Sequence, residues 1–302
     1  MDEALAAELL PERDPRGHKG TFGRVVAVAG SLDFAGAALM TGAAAARSGS
    51  GLVTLYVPAS LQPVIAGRVP ELMTRALPER AGALDVEGAA AAVVESAHDA
   101  LLIGPGLAGD RTTARLLSRI LAVEGPPTVL DAGALGALAM DPGWERRLER
   151  PTVVTPHPGE FERLGRAPGG NDDERTAAAA GAAAAWGQVV VLKGAHTVIA
   201  APDGELRVAA FEVPALATGG TGDVLAGVIA SLVGQGLSPF DAASLGVYLH
   251  ARAGEHVSGS LGDAGLMATD LLPVLPRVRR HLARVRERGR GTRLGFDAPR
   301  AG

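Results

Sequence analysis

The 302-residue chain contains no cysteine. Disulfides, thiolate nucleophiles and Cys-ligated zinc are therefore excluded. Aromatic residues make up only 3% of the chain, too few to suggest a base-stacking surface. No uninterrupted apolar run reaches the roughly 18 residues that would span a bilayer. The first segment, "MDEALAAELLPERDPRG", is acidic and has no apolar centre, so it does not read as a signal peptide. Net charge is −4, with no excess of basic residues to attract nucleic acid or anionic lipid. A Walker G-x-x-x-x-G-K-[ST] loop and a G-x-S-x-G elbow are both missing. His18, His98, His250, His256 and His281 show no metal-ligand spacing. These absences predict a soluble, cytoplasmic protein with neither nucleic acid nor membrane as partner.

What is present is a 47% apolar chain in which short β-branched runs alternate with alanine-rich helical ones. "RVVAVAG" (24–30), "LVTLYVP" (52–58), "ALLIG", "TVLDAG" and "TVVTPHPGE" (152–160) read as strands running into turn residues. "QVVVLKG" and "HTVIAAPDGELRVA" read as a strand and then a hairpin closed by "PDG". Between them lie helices: 36–51, closed by glycines, and "NDDERTAAAAGAAAAWG", acidic in its first turn and ended by Gly187. In "GDVLAGVIASLVGQG", Val224, Leu225, Val228, Ile229, Leu232 and Val233 share one helical stripe. Ser238 and Pro239 start the next helix as N-cap and first residue. Strands apolar on both faces and separated by helices predict an α/β fold with a mostly parallel sheet covered on both sides. No linker divides the chain. One domain over 1–302 is expected, with a core over about 18–282 and an arginine-rich, mobile tail over 283–302.

Two glycine clusters compete for the chemistry. Gly104, Gly106 and Gly109 have G-x-G-x-x-G spacing, with Asp131 further on, as in a dinucleotide fold. Pro105 inside that turn argues against it. The denser cluster is "LATGGTGDVLAG" (216–227), where Gly219, Gly220 and Gly222 precede an apolar helix and Asp223 lies in its first turn. Unshielded amides at a helix start suit phosphate oxygens. A carboxylate there repels phosphate, but it makes sense as a base that readies a hydroxyl for phosphoryl transfer. The alternative is that Asp223 only complements the helix dipole, worth roughly 0.3–1 kcal/mol.

"GTGD" before a late helix resembles the ribokinase-like superfamily. Further blocks narrow the resemblance: "HKGTFGRVVAVAGS" (18–31), "AGAALMTGAAAARSGSGLVTLYVP" (35–58), "LLIGPGL" (101–107), "VLDAGAL" (129–135), "VVTPHPGEFERL" (153–164), "VVLKGAHTVIA" (190–200) and "ATGGTGDVLAGVIASLVGQG" (217–236). In this order, over roughly residues 18–260, they resemble the NAD(P)H-hydrate dehydratase family. The resemblance implies a three-layer α/β/α sandwich. It also implies repair of the 6S hydrate of NADH or NADPH: a nucleotide phosphorylates the hydrate hydroxyl, and phosphate then leaves. With the first block at His18, no fused epimerase domain is expected.

By the same resemblance Asp223 is the base and touches substrate together with Ala37, Gly106 and His157. Lys193, Gly194, Ala195, His196 and Thr197 bind nucleotide with Gly219, Gly220, Thr221 and Gly222. Glu160 orients Mg2+ through water, and the phosphoryl donor is ADP, with ATP the lesser expectation. A homo-oligomer, a tetramer in many members, is implied as well. Each residue also has a plainer reading: Lys193 reaching solvent, His196 exposed in its turn, Glu160 a first-turn helix carboxylate, Ala37 a small packing residue. The family block near 104 usually has glycine where this chain has Ala108, which puts any role there in doubt. Two other classes compete: a ribokinase-like hydroxyl kinase for a vitamin precursor or sugar, and a non-catalytic nucleotide-binding protein on the same fold.

Overall fold

A computed structural model describes residues 1–294. Its main sheet has nine strands: β1 (Arg24–Val28), β2 (Leu52–Pro58), β3 (Met73–Leu77), β4 (Ala100–Ile103), β5 (Thr128–Leu130), β6 (Thr152–Val154), β7 (Val189–Leu192), β8 (Thr197–Ala200) and β9 (Leu206–Ala209). The spatial order is β9-β8-β7-β6-β5-β4-β1-β2-β3. Strands β1 to β7 pair in parallel, and β8 and β9 continue the sheet antiparallel. The hairpin at "PDG" lies between those two, with Gly204 at φ +96° as its turn requires.

Alternation along each strand supplies two cores. In β1, Val25 and Ala27 enter one apolar cluster, whereas Val26 and Val28 enter the cluster on the opposite face. Helices Ala35–Arg47, Thr221–Gly234, Pro239–Leu261 and Leu275–Leu294 cover the first face. Helices Val86–Val94, Arg111–Leu121, Gly133–Leu138 and Asp172–Trp186 cover the second. The result is the covered, mostly parallel sheet that the strand and helix pattern predicts and the three-layer α/β/α sandwich that the resemblance implies.

The structure departs from the sequence reading in the 221–234 helix. Its apolar stripe was expected on one side, yet the helix is buried nearly all round. It lies between the sheet, the 35–47 helix and the 239–261 helix. Small residues permit this: a methyl on Gly227 would stand 2.3 Å from the Thr41 carbonyl. Strand β3 and helix 86–94 carry no strong sequence signal; β3 is a partly exposed edge strand. The N-terminal helix Glu3–Leu9 is also short, capped by Asp2 and seated through Ala6 and Ala7. The arginine-rich segment continues the last helix to Leu294, and the rest of the expected tail, 295–302, lies outside the described residues. Among the described residues no helix is long and apolar enough to cross a membrane.

Candidate active site

Parallel strands place their carboxyl ends along one edge, and strand order reverses where β1 lies between β2 and β4. Ligands of open α/β sheets bind outside such a reversal. The loops after β1 and β4 meet there: the Gly30 N–H donates to the Pro105 carbonyl at 2.8 Å. Gly106, at φ +70°, leaves no room for a side chain beside Ala37 and the Phe34 carbonyl. Gly104, at φ +131°, would put a methyl 1.8 Å from the Asp131 carbonyl oxygen. These glycines therefore serve loop-to-loop packing, and the Rossmann reading of their spacing fails.

Further along the edge the 221–234 helix begins. Its N-cap is Gly220 in the left-handed region, φ +91°, and no side chain caps the first turn. Amides at positions such as Gly222 and Asp223 have no carbonyl partner within a helix. Leaving them uncapped at the start of a buried 14-residue helix makes an anion seat. Thr221 Oγ1 donates instead backward, to the Leu216 and Thr218 carbonyls, and ties the turn down. Burial pushes the Asp223 carboxyl up to about 6; the Asp131 charge adds to this and the Lys193 ammonium opposes it. Such a carboxylate is matched to taking a proton near neutral pH.

Beside it is a buried ionic group. Lys193 Nζ donates to Asp131 Oδ1 at 2.7 Å and lies 3.7 Å from Glu160 Oε2. Thr155 Oγ1 also donates to Asp131 Oδ1, at 2.8 Å. Burial alone would pull the lysine pKa down. The charges of Asp131 and Glu160, the hydrogen bond to Asp131 and the charge of Asp223 together hold it raised. Lys193 is thus an ammonium ion beside the glycine turn; a methyl on Gly222 would lie 3.7 Å from Nζ.

"TPHPGE" forms the N-terminal turn of helix Pro158–Arg163. His157 caps it: Nδ1 accepts from the Gly159 and Glu160 amides at 3.1 and 3.3 Å. Glu160 Oε2 returns the favour by accepting from the His157 amide at 2.8 Å. With Nδ1 accepting, the proton of a neutral ring sits on Nε2, which lies 3.6 Å from Glu160 Oε2 in a half-exposed side chain. Glu160 therefore does perform the helix-cap role of its plainer reading, while its carboxylate also approaches Lys193.

A cavity of about 670 Å3 opens between the 193–197 turn and the glycine turn. It is within the size range of small-molecule sites. Of the sequence-predicted residues, His157, Lys193, Gly194, Ala195, Thr197, Thr221 and Gly222 line it. Ala37 and Gly106 are brought together at the β1–β4 reversal, outside that lining, and Gly219, Gly220 and Asp223 border the turn. His196 points elsewhere: Nδ1 lies 2.6 Å from Asp172 Oδ2 and Nε2 lies 3.2 Å from Glu212 Oε1.

Sequence reasoning missed Thr155, His250 and Glu212 and misjudged Asp131. Asp131 was visible at the end of "TVLD", but its partners Thr155 and Lys193 are 24 and 62 residues away. His250 lines the cavity with Nε2 unpartnered, and burial pushes its imidazole down to about 4 against a backbone hydrogen bond to Thr221. Nothing local distinguishes it from any helical histidine.

Comparison with known proteins places these features in context. Residues 25–277 match the sequence profile of the NAD(P)H-hydrate dehydratase family. The chain is 38% identical over 286 residues to an ADP-dependent (S)-NAD(P)H-hydrate dehydratase of Xanthomonas campestris, covering 93% of this chain and 96% of that one. A bifunctional NAD(P)H-hydrate repair enzyme of Moorella thermoacetica is 44% identical over 285 residues, 93% of this chain but 54% of that protein. The chain thus spans about half the length of such bifunctional relatives. Among solved structures, an ADP/ATP-dependent NAD(P)H-hydrate dehydratase of Bacillus subtilis, co-crystallised with ATP and Mg2+, superposes with a TM-score of 0.81 at 35% identity, covering 93% of this chain and 97% of that one. A ribokinase-like superfamily protein of Enterococcus faecalis gives a TM-score of 0.80 at 29% identity, over 94% and 95% of the two chains.

Proposed function

Because the chain belongs to the NAD(P)H-hydrate dehydratase family, we propose that it restores NADH and NADPH from their 6S hydrates at the expense of a nucleotide. The observation that carries this reading is the Asp223 carboxylate, raised to about 6 and set among the uncapped amides of the 221–234 helix. Hydroxide is a poor leaving group. Asp223 accepts the proton of the hydrate hydroxyl as its oxygen attacks the terminal phosphorus of the nucleotide. The phosphorus–oxygen bond to the departing nucleotide breaks, and the glycine-turn amides with Lys193 hold the charge that develops. The ring-nitrogen lone pair then expels phosphate, and loss of a ring proton restores the nicotinamide double bond.

Nucleotide is assigned to the 670 Å3 cavity, where Lys193, Gly194, Ala195, Thr197, Thr221 and Gly222 line the wall, with His196, Gly219 and Gly220 adjoining. Hydrate is assigned to the neighbourhood of Asp223, Ala37 and Gly106, with His157, which also lines the cavity, where the two sites adjoin. ADP is the favoured phosphoryl donor, as in the name of the Xanthomonas relative.

Magnesium fits as a companion of the nucleotide rather than as a resident ion. No group of three or more candidate ligands exists among the described residues, and the Lys193 ammonium already lies between Asp131 and Glu160. Mg2+ bound mainly to phosphates needs few protein ligands, and Glu160 would reach it through water. When bound, the ion would neutralise phosphate charge. Chelation is expected to stop turnover without lowering the melting temperature of the nucleotide-free protein. The reading extends to a cytoplasmic enzyme, where both cofactor and nucleotide pools are found, and to a homotetramer, measurable by light scattering.

Incubating hydrated NADPH with the protein, Mg2+ and ADP or ATP should restore absorbance at the reduced-nicotinamide band. If neither nucleotide restores it, the proposed function is wrong.

A further inference from the structure

Glu212 is, among the described residues, the only carboxylate in the cavity lining. A fixed negative charge in the wall of a site for a polyanion is costly wherever phosphates sit. Phosphate groups belong near Lys193, Thr221 and Gly222, where the cation and free amides are. Val213, Pro214, Leu225, Val247 and Ala251 form an apolar stretch suited to the flat base. Glu212 belongs to neither group. It adjoins Val213 in sequence, pairs with His196 of the 193–197 turn, and stands 74% exposed at the rim of the cavity, between the residues assigned to base and to phosphates.

The carboxylate is also held there. His196 adopts φ +53°, a left-handed conformation strained for a non-glycine residue. Its two ring nitrogens face Asp172 Oδ2 at 2.6 Å and Glu212 Oε1 at 3.2 Å. A neutral imidazole has one N–H and can donate to only one of two carboxylates; the cation satisfies both. Hydrogen bonding to Asp172 and then its charge hold the His196 pKa raised, with Glu212 adding and Arg175 opposing. The His196 amide also donates to the Phe211 carbonyl, at 3.4 Å, so backbone and side chain both anchor the segment carrying Glu212.

We propose that the Glu212 carboxylate, positioned by His196, accepts hydrogen bonds from the ribose hydroxyls of the bound nucleotide and so selects ribonucleotides over deoxyribonucleotides. Ionised carboxylate oxygens are acceptors only, and a vicinal diol offers two donors at the right spacing. The inference rests on the nucleotide assignment of this cavity. It goes beyond that assignment by naming the residue that reads the sugar.

Calorimetric titration of the whole protein with ADP, 2′-deoxy-ADP and 3′-deoxy-ADP tests it without relying on turnover. A hydrogen bond to a charged but largely exposed group predicts that wild type binds ADP at most about tenfold more tightly than either deoxy analogue. Glu212→Ala removes the acceptor for both hydroxyls, so it should bind ADP and the two deoxy analogues with equal affinity, about tenfold below that of wild type for a deoxy analogue. An unchanged melting temperature reports that the variant is folded. Glu212→Gln, which keeps one acceptor oxygen, should fall between. An unchanged ADP preference in Glu212→Ala, or equal affinities in wild type, overturns the ribose role alone. Failure of wild type to bind ADP at all overturns the cavity assignment and the ribose role with it.

Discussion

Lys193 Nζ stands 2.7 Å from Asp131 Oδ1, and the two side chains are 18% and 2% exposed. The pair joins the ends of β5 and β7 across β6 and sets a fixed cation beside the glycine turn. A buried pair of this kind is expensive to break from one side, because the remaining charge keeps its desolvation cost.

Lys193→Met should accordingly destabilise the fold by about 3–5 kcal/mol, since Asp131 is left charged and buried. The double variant Lys193→Met with Asp131→Asn should regain much of that loss, because neither member is then an unpaired charge. Urea denaturation of wild type and the three variants measures the cycle. Additive losses would show that the two residues act independently.

The pH dependence of turnover should follow Asp223. With its carboxyl near 6, kcat/KM for the hydrate should fall as pH drops below about 6, where the base is protonated. Because Lys193 opposes the upward shift, its removal should move this limb to higher pH in whatever activity remains. A limb that stays put in Lys193→Met would deny electrostatic contact between them. Asp223→Asn should abolish turnover while nucleotide binding persists; joint loss of both would make Asp223 structural.

Stability should respond to the same group with a definite sign. The folded-state pKa of Asp223 lies above the ordinary aspartate value of 3.8, so protonation favours the folded state. The carboxyl is no burden below about pH 3.8. Its cost grows as pH rises toward and through about 6, and is complete above. Asp223→Asn should therefore stabilise the protein at pH 8 by roughly 2–3 kcal/mol, a gain that vanishes by about pH 4. Thermal melts across that range check it, and a gain independent of pH would contradict the assignment.

Two glycines should respond differently to a methyl group. Gly104→Ala forces a methyl against the Asp131 carbonyl in a left-handed backbone, so a loss of about 2–4 kcal/mol or failure to fold is expected. Gly219→Ala meets nothing within 4 Å and needs no positive φ, so stability should hold within about 0.5 kcal/mol. Equal effects in denaturation would refute the contrast.

The sequence alone determined the architecture. Apolar runs too short for helices, separated by amphipathic or alanine-rich stretches, leave a covered parallel sheet as the way to bury both faces, and the "PDG" turn closes the hairpin β8–β9. It also singled out Asp223, Lys193, His157 and Glu160 as candidates, because each follows a strand or starts a helix, and folding brings them together at one edge of the sheet. Tertiary structure decided what those residues do to one another. Asp131 looked like a ribose ligand in a glycine fingerprint; folding turned it toward Lys193 and Thr155 instead. His250 and Glu212 entered the cavity wall, and His196 left it for two carboxylates. Such pairings join positions tens of residues apart, and local pattern holds no record of them: charge and shape select partners only after the sheet has brought its loops to one edge.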